Sequence, residues 1–291
     1  MAKEIMLGNQ LVGKDHPTYI IAEIGINHNG DLNIAKRMIQ AAHYAHVNAV
    51  KFQKRTPKIC VPLEEQTRMR ETPWGYMTYL EYRERVEFGE DEYKEIDQLC
   101  KEIGIDWFAS VWDEEAIDFL EPFQPIAYKV PSASLTDHSL LEKLLSTGRP
   151  IILSTGMSTM EQIQASVKLI GDMDRLIITH ATSAYPCNPN ELNLRMIPRL
   201  IEEFDCPVGY SGHEVGLIPS VVSVSLGACL VERHFTLDRA MWGTDQAASV
   251  EPQGMEKLVK YIRVTEEALG DGVKKVYDDE LPSLQKLRRV K

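Results

Sequence analysis

The stretch Gly227-Ala228-Cys229-Leu230-Val231-Glu232-Arg233-His234-Phe235-Thr236 begins apolar and ends in charge. A short continuous apolar run suits a strand buried on both faces, and the Glu-Arg-His cluster marks where that strand leaves a core and enters a site. A second stretch of the same kind lies upstream, Pro207-Val208-Gly209-Tyr210-Ser211-Gly212-His213-Glu214. If the two are neighbouring parallel strands, their ends lie about 5 Å apart. His213 and His234 could then hold one divalent metal ion between them.

The same unit recurs along the chain. Strands are expected at 19–25, 49–54, 107–112, 126–130, 150–154, 176–181, 207–211 and 229–235. Helices are expected at 32–46, 91–103, 114–120, 138–146, 159–170, 193–204, 217–226 and 253–269. The first helix has Asp31 as its cap and Ile34, Met38, Ala41, Ala42 and Ala45 on one face. Alternation of apolar strands with helices implies α/β architecture with a parallel sheet, and eight such units close a (β/α)8 barrel. A doubly wound open sheet is the alternative, weakened because no GxGxxG turn follows the first strand. Residues 1–18 carry a hairpin signal at Gly8-Asn9 and are expected to cap one end of the barrel. Residues 19–270 form the catalytic domain, and 271–291 a charged tail or linker. Segment 55–90, with Pro57, Pro62, Pro73 and Gly75, breaks the alternation after strand two and reads as a long insertion serving as lid or substrate loop.

Of the 291 residues, 44% are hydrophobic and 26% charged, which is ordinary for a globular protein. The net charge of −11 argues against a nucleic-acid partner. No apolar run reaches the roughly 18 residues of a membrane span, and no signal peptide is recognisable. Five scattered cysteines without a CxxC pair suggest free thiols in a cytoplasmic protein.

Every expected strand delivers polar groups at its C-terminal end, where barrels place their sites. Lys51 and Lys129 lie within apolar strands, and a buried lysine is costly unless it meets an anion. With the hydroxyls of Ser110, Ser132, Ser154 and Ser211 they suggest a cradle for phosphate, or for phosphate plus carboxylate. Pairing of a lysine with a glutamate, or Schiff-base chemistry, is the alternative. Ser154-Thr155-Gly156 reads as a strand-to-helix turn whose amides could bind an anion. Glu23, Glu232 and Asp245 are the candidate catalytic carboxylates beside the histidine pair. His28 and His180 could instead be structural.

Taken together, Ile21-Ala22-Glu23-Ile24-Gly25-Ile26-Asn27-His28-Asn29-Gly30, Val50-Lys51-Phe52-Gln53, Lys129-Val130-Pro131-Ser132, Leu153-Ser154-Thr155-Gly156-Met157, Tyr210-Ser211-Gly212-His213 and Glu232-Arg233-His234-Phe235-Thr236 resemble the sialic acid synthase family. The resemblance runs from about residue 3 to 291 and implies a TIM barrel. It implies a transferase that condenses phosphoenolpyruvate with an N-acetylmannosamine-type aldose, giving a nonulosonic acid and phosphate. It further implies phosphoenolpyruvate contacts at Lys51, Ser110, Lys129, Ser132, Ser154, Ser183 and Ser211, and sugar contacts at Glu23, Gln53, Tyr185 and Asp245. His213 and His234 would be metal ligands, for Mn2+ first and Mg2+, Co2+ or Fe2+ as alternatives. A homo-oligomer is expected.

Two departures from the family pattern stand out. The family commonly reads Ser-Gly-Glu where this chain has Ser132-Ala133-Ser134, so Ser134 would alter the sugar half and with it the acceptor. Family members usually continue into an antifreeze-like domain, and the expectation here is a barrel without it. The competing expectations are a related octulosonate-type synthase taking a phosphorylated aldose, with Arg55, Arg68 or Arg70 as its second phosphate site, and an idle barrel acting as a binding partner.

Overall fold

The computed structural model describes residues 3–290. Eight parallel strands close a barrel. They are β1 (Tyr19–Gly25), β2 (Ala49–Lys54), β3 (Asp106–Val111), β4 (Tyr128–Val130), β5 (Ile151–Ser154), β6 (Leu176–Ala181), β7 (Val208–Gly212) and β8 (Leu230–His234). Each pairs with the next, and β8 closes on β1 through Leu230 to Tyr19 and His234 to Glu23. Helices fill the crossovers: α1 (Leu32–Tyr44), α2 (Glu90–Ile103), α3 (Glu114–Leu120), α4 (His138–Ser146), α5 (Met160–Ile170), α6 (Met196–Glu203), α7 (Ile218–Ser225) and α8 (Pro252–Leu269). The fold is the expected (β/α)8 barrel, with element ends differing from expectation by one to three residues at most positions, as frayed ends do.

Local chemistry sets these ends. The Asp31 carboxylate accepts from the amides of Asn33 and Ile34 and starts α1. Asp113 does the same for α3, and Thr159 with Gln162 forms a capping box on α5. Gly104 ends α2 in the left-handed region.

Two apolar layers hold the barrel. Outward strand residues such as Ile20, Val50, Ala109 and Leu153 pack against Met38, Ile96, Ile117 and Leu141 of the helices. Inward residues Tyr19, Ile21, Ala49, Phe108, Ile152, Ile177 and Leu230 fill the lower half of the interior. Burying each large apolar side chain is worth about 1.5–3 kcal/mol. The N-terminal hairpin, Ile5–Leu7 paired with Gln10–Val12, adds Ile5, Leu7 and Val12 to that interior cluster. The lower barrel is therefore mostly apolar, with Asp106, which accepts from the Tyr19 hydroxyl at 3.2 Å, as a polar group at its end.

The insertion after β2 is not a bare loop. Short helices Pro57–Cys60 and Leu63–Gln66 lead into a hairpin, Met69–Thr72 with Gly75–Thr78, and then a capped helix, Tyr79–Val86. Tyr82 and Val86 of that helix pack with Ile26, Trp74 and Trp242, so the insertion is seated on the mouth. Sequence periodicity missed this because each piece is a helix of little more than two turns at most or an edge hairpin. The tail carries a further short helix, Leu281–Leu287, with no buried residue. All five cysteines are free. Among the described residues no helix is long and apolar enough to cross a membrane.

Candidate active site

Strand register assembles the site. In the row from β8 to β2, His234 stands beside Glu23 and Glu23 beside Lys51. In the row from β2 to β4, Gln53 stands beside Ser110 and Ser110 beside Lys129. On β7 and β8, Ser211 stands beside Glu232. Paired residues on parallel strands point to the same side, so these rows present their side chains together into the mouth. A register shift between Glu23 and Gly25 adjusts the end of β1. Gly25 takes φ +55, and a Cβ there would lie 3.1 Å from Gln53 Nε2 and from Glu23 Oε1.

These side chains line a cavity of about 200 Å³. Of the residues expected from sequence, Glu23, Lys51, Gln53, Ser110, Lys129, Ser132, Ser154, Ser183, Tyr185, Ser211, His213, Glu232 and His234 line it. Asp245 does not line it; its carboxylate lies 3.9 Å from His234 Nδ1. Ser134 is a correction. It is buried in a one-turn 3-10 helix, Ser132–Ser134, and does not line the cavity. About three residues per turn bring Ser132 and Ala133 to the mouth and turn Ser134 into the wall. The Ser134 substitution therefore carries no argument about the acceptor. Trp112, Pro131, Ala133 and Met157 also line the cavity and were not expected. Trp112 and Met157 lie at strand-to-helix turns after β3 and β5, which is the one signal that could have found them.

The floor of the cavity is a charge quartet. Lys51 Nζ lies 2.6 Å from Glu23 Oε2, 2.6 Å from Ser110 Oγ and 3.6 Å from Glu232 Oε1. Lys129 Nζ lies 3.2 Å from both oxygens of Glu232. Ser211 Oγ donates to Glu232 at 3.2 Å, and Gln53 Nε2 to Glu23 at 3.1 Å. All four charged side chains are buried. The lysines thus meet internal carboxylates, which was the alternative to an anion cradle; two charges of each sign balance.

The two carboxylates are not equivalent. Burial would raise Glu232, but Lys129 and Lys51 outweigh it and hold it down at about 2. Burial raises Glu23 above the ordinary carboxylate range; Lys51 opposes this, and the negative Glu232 reinforces it. Lys129 is pushed down by burial, against the pull of Glu232. Two carboxyls whose surroundings drive them apart are a mark of acid–base chemistry.

Above the quartet, Ser132 Oγ accepts from the Gly156 amide at 3.0 Å. A Cβ on Gly156 would fall 2.3 Å from Ser183 Oγ and 2.8 Å from Ser132 Oγ. Only glycine lets the backbone come this close to both hydroxyls. Ser154 Oγ pairs with Thr179 Oγ1 at 2.9 Å.

The histidines stand with ring centroids 5.4 Å apart. His213 Nδ1–H donates to the Thr182 carbonyl at 2.7 Å, which leaves Nε2 as an acceptor. Burial first, then the neighbouring His234, pushes His213 down to about 3, so it is neutral at physiological pH. His234 Nδ1 is buried without a hydrogen-bond partner. Tyr185 packs on both rings, at 4.2 and 5.6 Å. His213 Nε2 and the unpartnered His234 Nδ1 fit a divalent metal. Among the described residues no three His, Cys, Asp or Glu side chains form a ready cage, so the pair would leave coordination positions open, as a catalytic site requires. His28 and His180 stand apart. His28 accepts from the Gly30 amide and stacks on Phe88 at 4.0 Å; His180 bonds the Leu192 carbonyl at 2.7 Å.

A closed parallel barrel with buried lysine–carboxylate pairs and an imidazole pair at the C-terminal mouth is the framework of a (β/α)8 enzyme. Residues 38–274 match the model of the NeuB family. A human N-acetylneuraminate-9-phosphate synthase is 39% identical over 280 residues, covering 95% of this chain and 78% of that protein. An N,N'-diacetyllegionaminic acid synthase of Legionella pneumophila is 34% identical over 285 residues, covering 95% and 80%. The crystal structure of N-acetylneuraminic acid synthetase from Leptospira borgpetersenii in complex with citrate superposes with a TM-score of 0.88 at 31% identity, covering 100% of this chain and 99% of that one. The chain belongs to the NeuB family, the sialic acid synthase family its motifs resemble, and is a transferase of the synthase type.

Proposed function

We propose that this enzyme condenses phosphoenolpyruvate with an N-acetylmannosamine-type aldose, releasing phosphate and a 3-deoxy-2-ulosonic acid of the sialic type. The observation that carries this is the buried quartet of Lys51, Lys129, Glu23 and Glu232 under a ring of serines, in a chain whose relatives are named as synthases of such acids. A lysine pair behind neutralising carboxylates is pre-organised for a multiply charged substrate without leaving bare charge in the empty site.

His213 and His234 would hold a divalent metal, Mn2+ by preference, which when bound supplies Lewis-acid polarisation of the aldehyde. The remaining chemistry falls to the chain's own groups. Lys51 and Lys129 hold the phosphate and carboxylate of phosphoenolpyruvate; the Ser132 and Ser183 hydroxyls, the first positioned by the Gly156 amide, cradle its oxygens. Carbon 3 of phosphoenolpyruvate forms the new bond to the aldehyde carbon. Water adds at carbon 2, and phosphate leaves with the bridging oxygen. Glu23, raised toward neutrality and held by Gln53, moves the proton: onto the forming alkoxide or off the attacking water. Glu232 stays ionised and balances the lysines. One phosphoenolpyruvate, one aldose and one water become one ulosonate and one phosphate.

The test is phosphate release from phosphoenolpyruvate with Mn2+ and N-acetylmannosamine or its 6-phosphate, with the product identified by mass spectrometry. Bridging 18O should appear in the released phosphate. Label retained in the organic product, or no aldose-dependent release, would refute the reading.

A further inference from the structure

On the outer side of β7 and β8, behind the histidine pair, lies a buried polar network that the reaction above does not use. Arg233 stands between Glu232 and His234 on β8. Those two line the cavity, so the Arg233 side chain points the other way, toward the helices. It is only 1% exposed. Its Nη1 lies 2.9 Å from Oε1 of Glu214, the residue after His213. Nη1 also donates to the Gly216 carbonyl at 2.8 Å and to Ser220 Oγ at 2.9 Å, and Nη2 donates to the Glu214 carbonyl. The Glu214 carboxylate, itself buried, accepts further from the Tyr210 hydroxyl at 2.7 Å and from Ser220 Oγ at 2.9 Å. Tyr210, Glu214, Ser220 and Arg233 do not line the cavity.

The network ties together three pieces of chain: the end of β8, the turn 213–217 and the start of α7. That turn carries His213, whose own carbonyl accepts from the Cys187 amide at 3.0 Å. Gly212 pairs in register with Arg233. A Cβ on Gly212 would lie 2.5 Å from Glu214 Oε2, 2.6 Å from Tyr210 Cε1 and 3.1 Å from Arg233 Cδ. The network is therefore pressed against the backbone that leads into His213 on one strand and His234 on the other. A buried ion pair seldom adds more stability than apolar side chains of the same volume. What it supplies and apolar packing does not is direction, because its donors fix the Glu214 and Gly216 carbonyls of one turn in place.

We infer that Arg233, Glu214 and Tyr210 are positioning residues for the metal pair: by tying the turn after β7 to β8 they hold His213 facing His234, rings 5.4 Å apart, so that one divalent cation is bound by both. The inference rests on the reading of His213 and His234 as metal ligands and adds the residues that set their geometry.

The test titrates Mn2+ alone into the full chain by calorimetry, with Tm and, at saturating Mn2+, KM for phosphoenolpyruvate measured alongside. Arg233→Met combined with Glu214→Leu replaces the pair by apolar side chains, so Tm should change little. Its Kd for Mn2+ should rise by about 10–100-fold, as on loss of the outer partners of a metal ligand. KM for phosphoenolpyruvate should stay within about 3-fold of wild type, because Lys51 and Lys129 lie outside the network. Tyr210→Phe, which removes one hydrogen bond to Glu214 and keeps the ring, should raise the Kd several-fold. Unchanged Mn2+ affinity in the double variant would overturn the inference. So would a rise in Kd matched by an equal rise in KM, which would mark the network as general scaffolding. If the double variant does not fold, unchanged Mn2+ affinity in Tyr210→Phe overturns it instead. Absence of Mn2+ binding in wild type would fail the metal reading, and amide hydrogen exchange in the metal-free protein then decides. Faster exchange of residues 213–217 in Tyr210→Phe, with the rest of the barrel unchanged, supports the lock on the turn; equal exchange refutes it.

Discussion

Replacing Glu232 by Gln tests the charge quartet directly. In the native site this carboxylate meets Lys129 twice at 3.2 Å, Lys51 at 3.6 Å and Ser211 at 3.2 Å. Its pKa falls from the ordinary 4.5 to about 2. At 1.36 kcal/mol per unit this corresponds to about 3 kcal/mol at pH 7, of the same order as the roughly 3–5 kcal/mol for breaking a buried pair. The folded pKa is depressed, so this contribution is complete above about pH 4.5 and is lost as pH falls toward 2. Gln cannot ionise, so urea unfolding should show the variant about 3 kcal/mol less stable at pH 7, with the gap narrowing by roughly 1 kcal/mol at pH 4. A loss below about 1 kcal/mol at pH 7, or a gap that does not narrow with acid, would refute the assignment of Glu232 as the lysines' counter-ion.

Lys51→Ala removes a contact to both carboxylates and should raise KM for phosphoenolpyruvate at least about 100-fold in steady-state kinetics, since a buried charge-assisted interaction is lost; an unchanged KM counts against the lysine's role. His234→Ala should abolish metal-supported turnover and weaken Mn2+ binding in an equilibrium titration, with circular dichroism unchanged. Gly156→Ala places a methyl 2.3 Å from Ser183 Oγ and 2.8 Å from Ser132 Oγ, so phosphoenolpyruvate affinity should fall by about 10-fold or more while stability changes by about 1–3 kcal/mol. Glu23→Gln should flatten the part of the kcat–pH profile that lies above the ordinary carboxylate range, because the carboxyl that burial raises is gone; a profile identical to wild type would rule Glu23 out as the proton carrier.

The barrel was legible because its strands are buried on both faces, so stretches such as Ala49–Lys54 and Leu176–Ala181 stand out as apolar runs whose ends match the structure. The polar residues closing those runs were legible for the same reason, since nothing else explains a lysine inside Val50-Lys51-Phe52. Partnership was not legible. Whether Lys51 meets a substrate anion or Glu23 depends on the register between β1 and β2, which one strand's pattern does not contain. Ser134 misled because a single 3-10 turn redirects one side chain out of three without leaving a mark in composition. The insertion was opaque for a different reason. Its buried members, Tyr82, Arg83 and Val86, face partners as distant as Trp242, so its order comes from tertiary contact rather than from local periodicity.

That contact with Trp242, together with the pairing of β8 on β1, ties the start of the barrel to its end. While the chain is being synthesised, β1 has one open edge until Leu230–His234 emerges, and the insertion has no seat until residue 242 follows. Closure of the ring is thus a late, long-range event, of the kind that slows folding and leaves strand edges exposed meanwhile. The mouth with its site is completed in the same step, so a nascent chain interrupted before β8 would carry Lys51 with Glu23 but would lack Glu232, the carboxylate of Lys129, and His234.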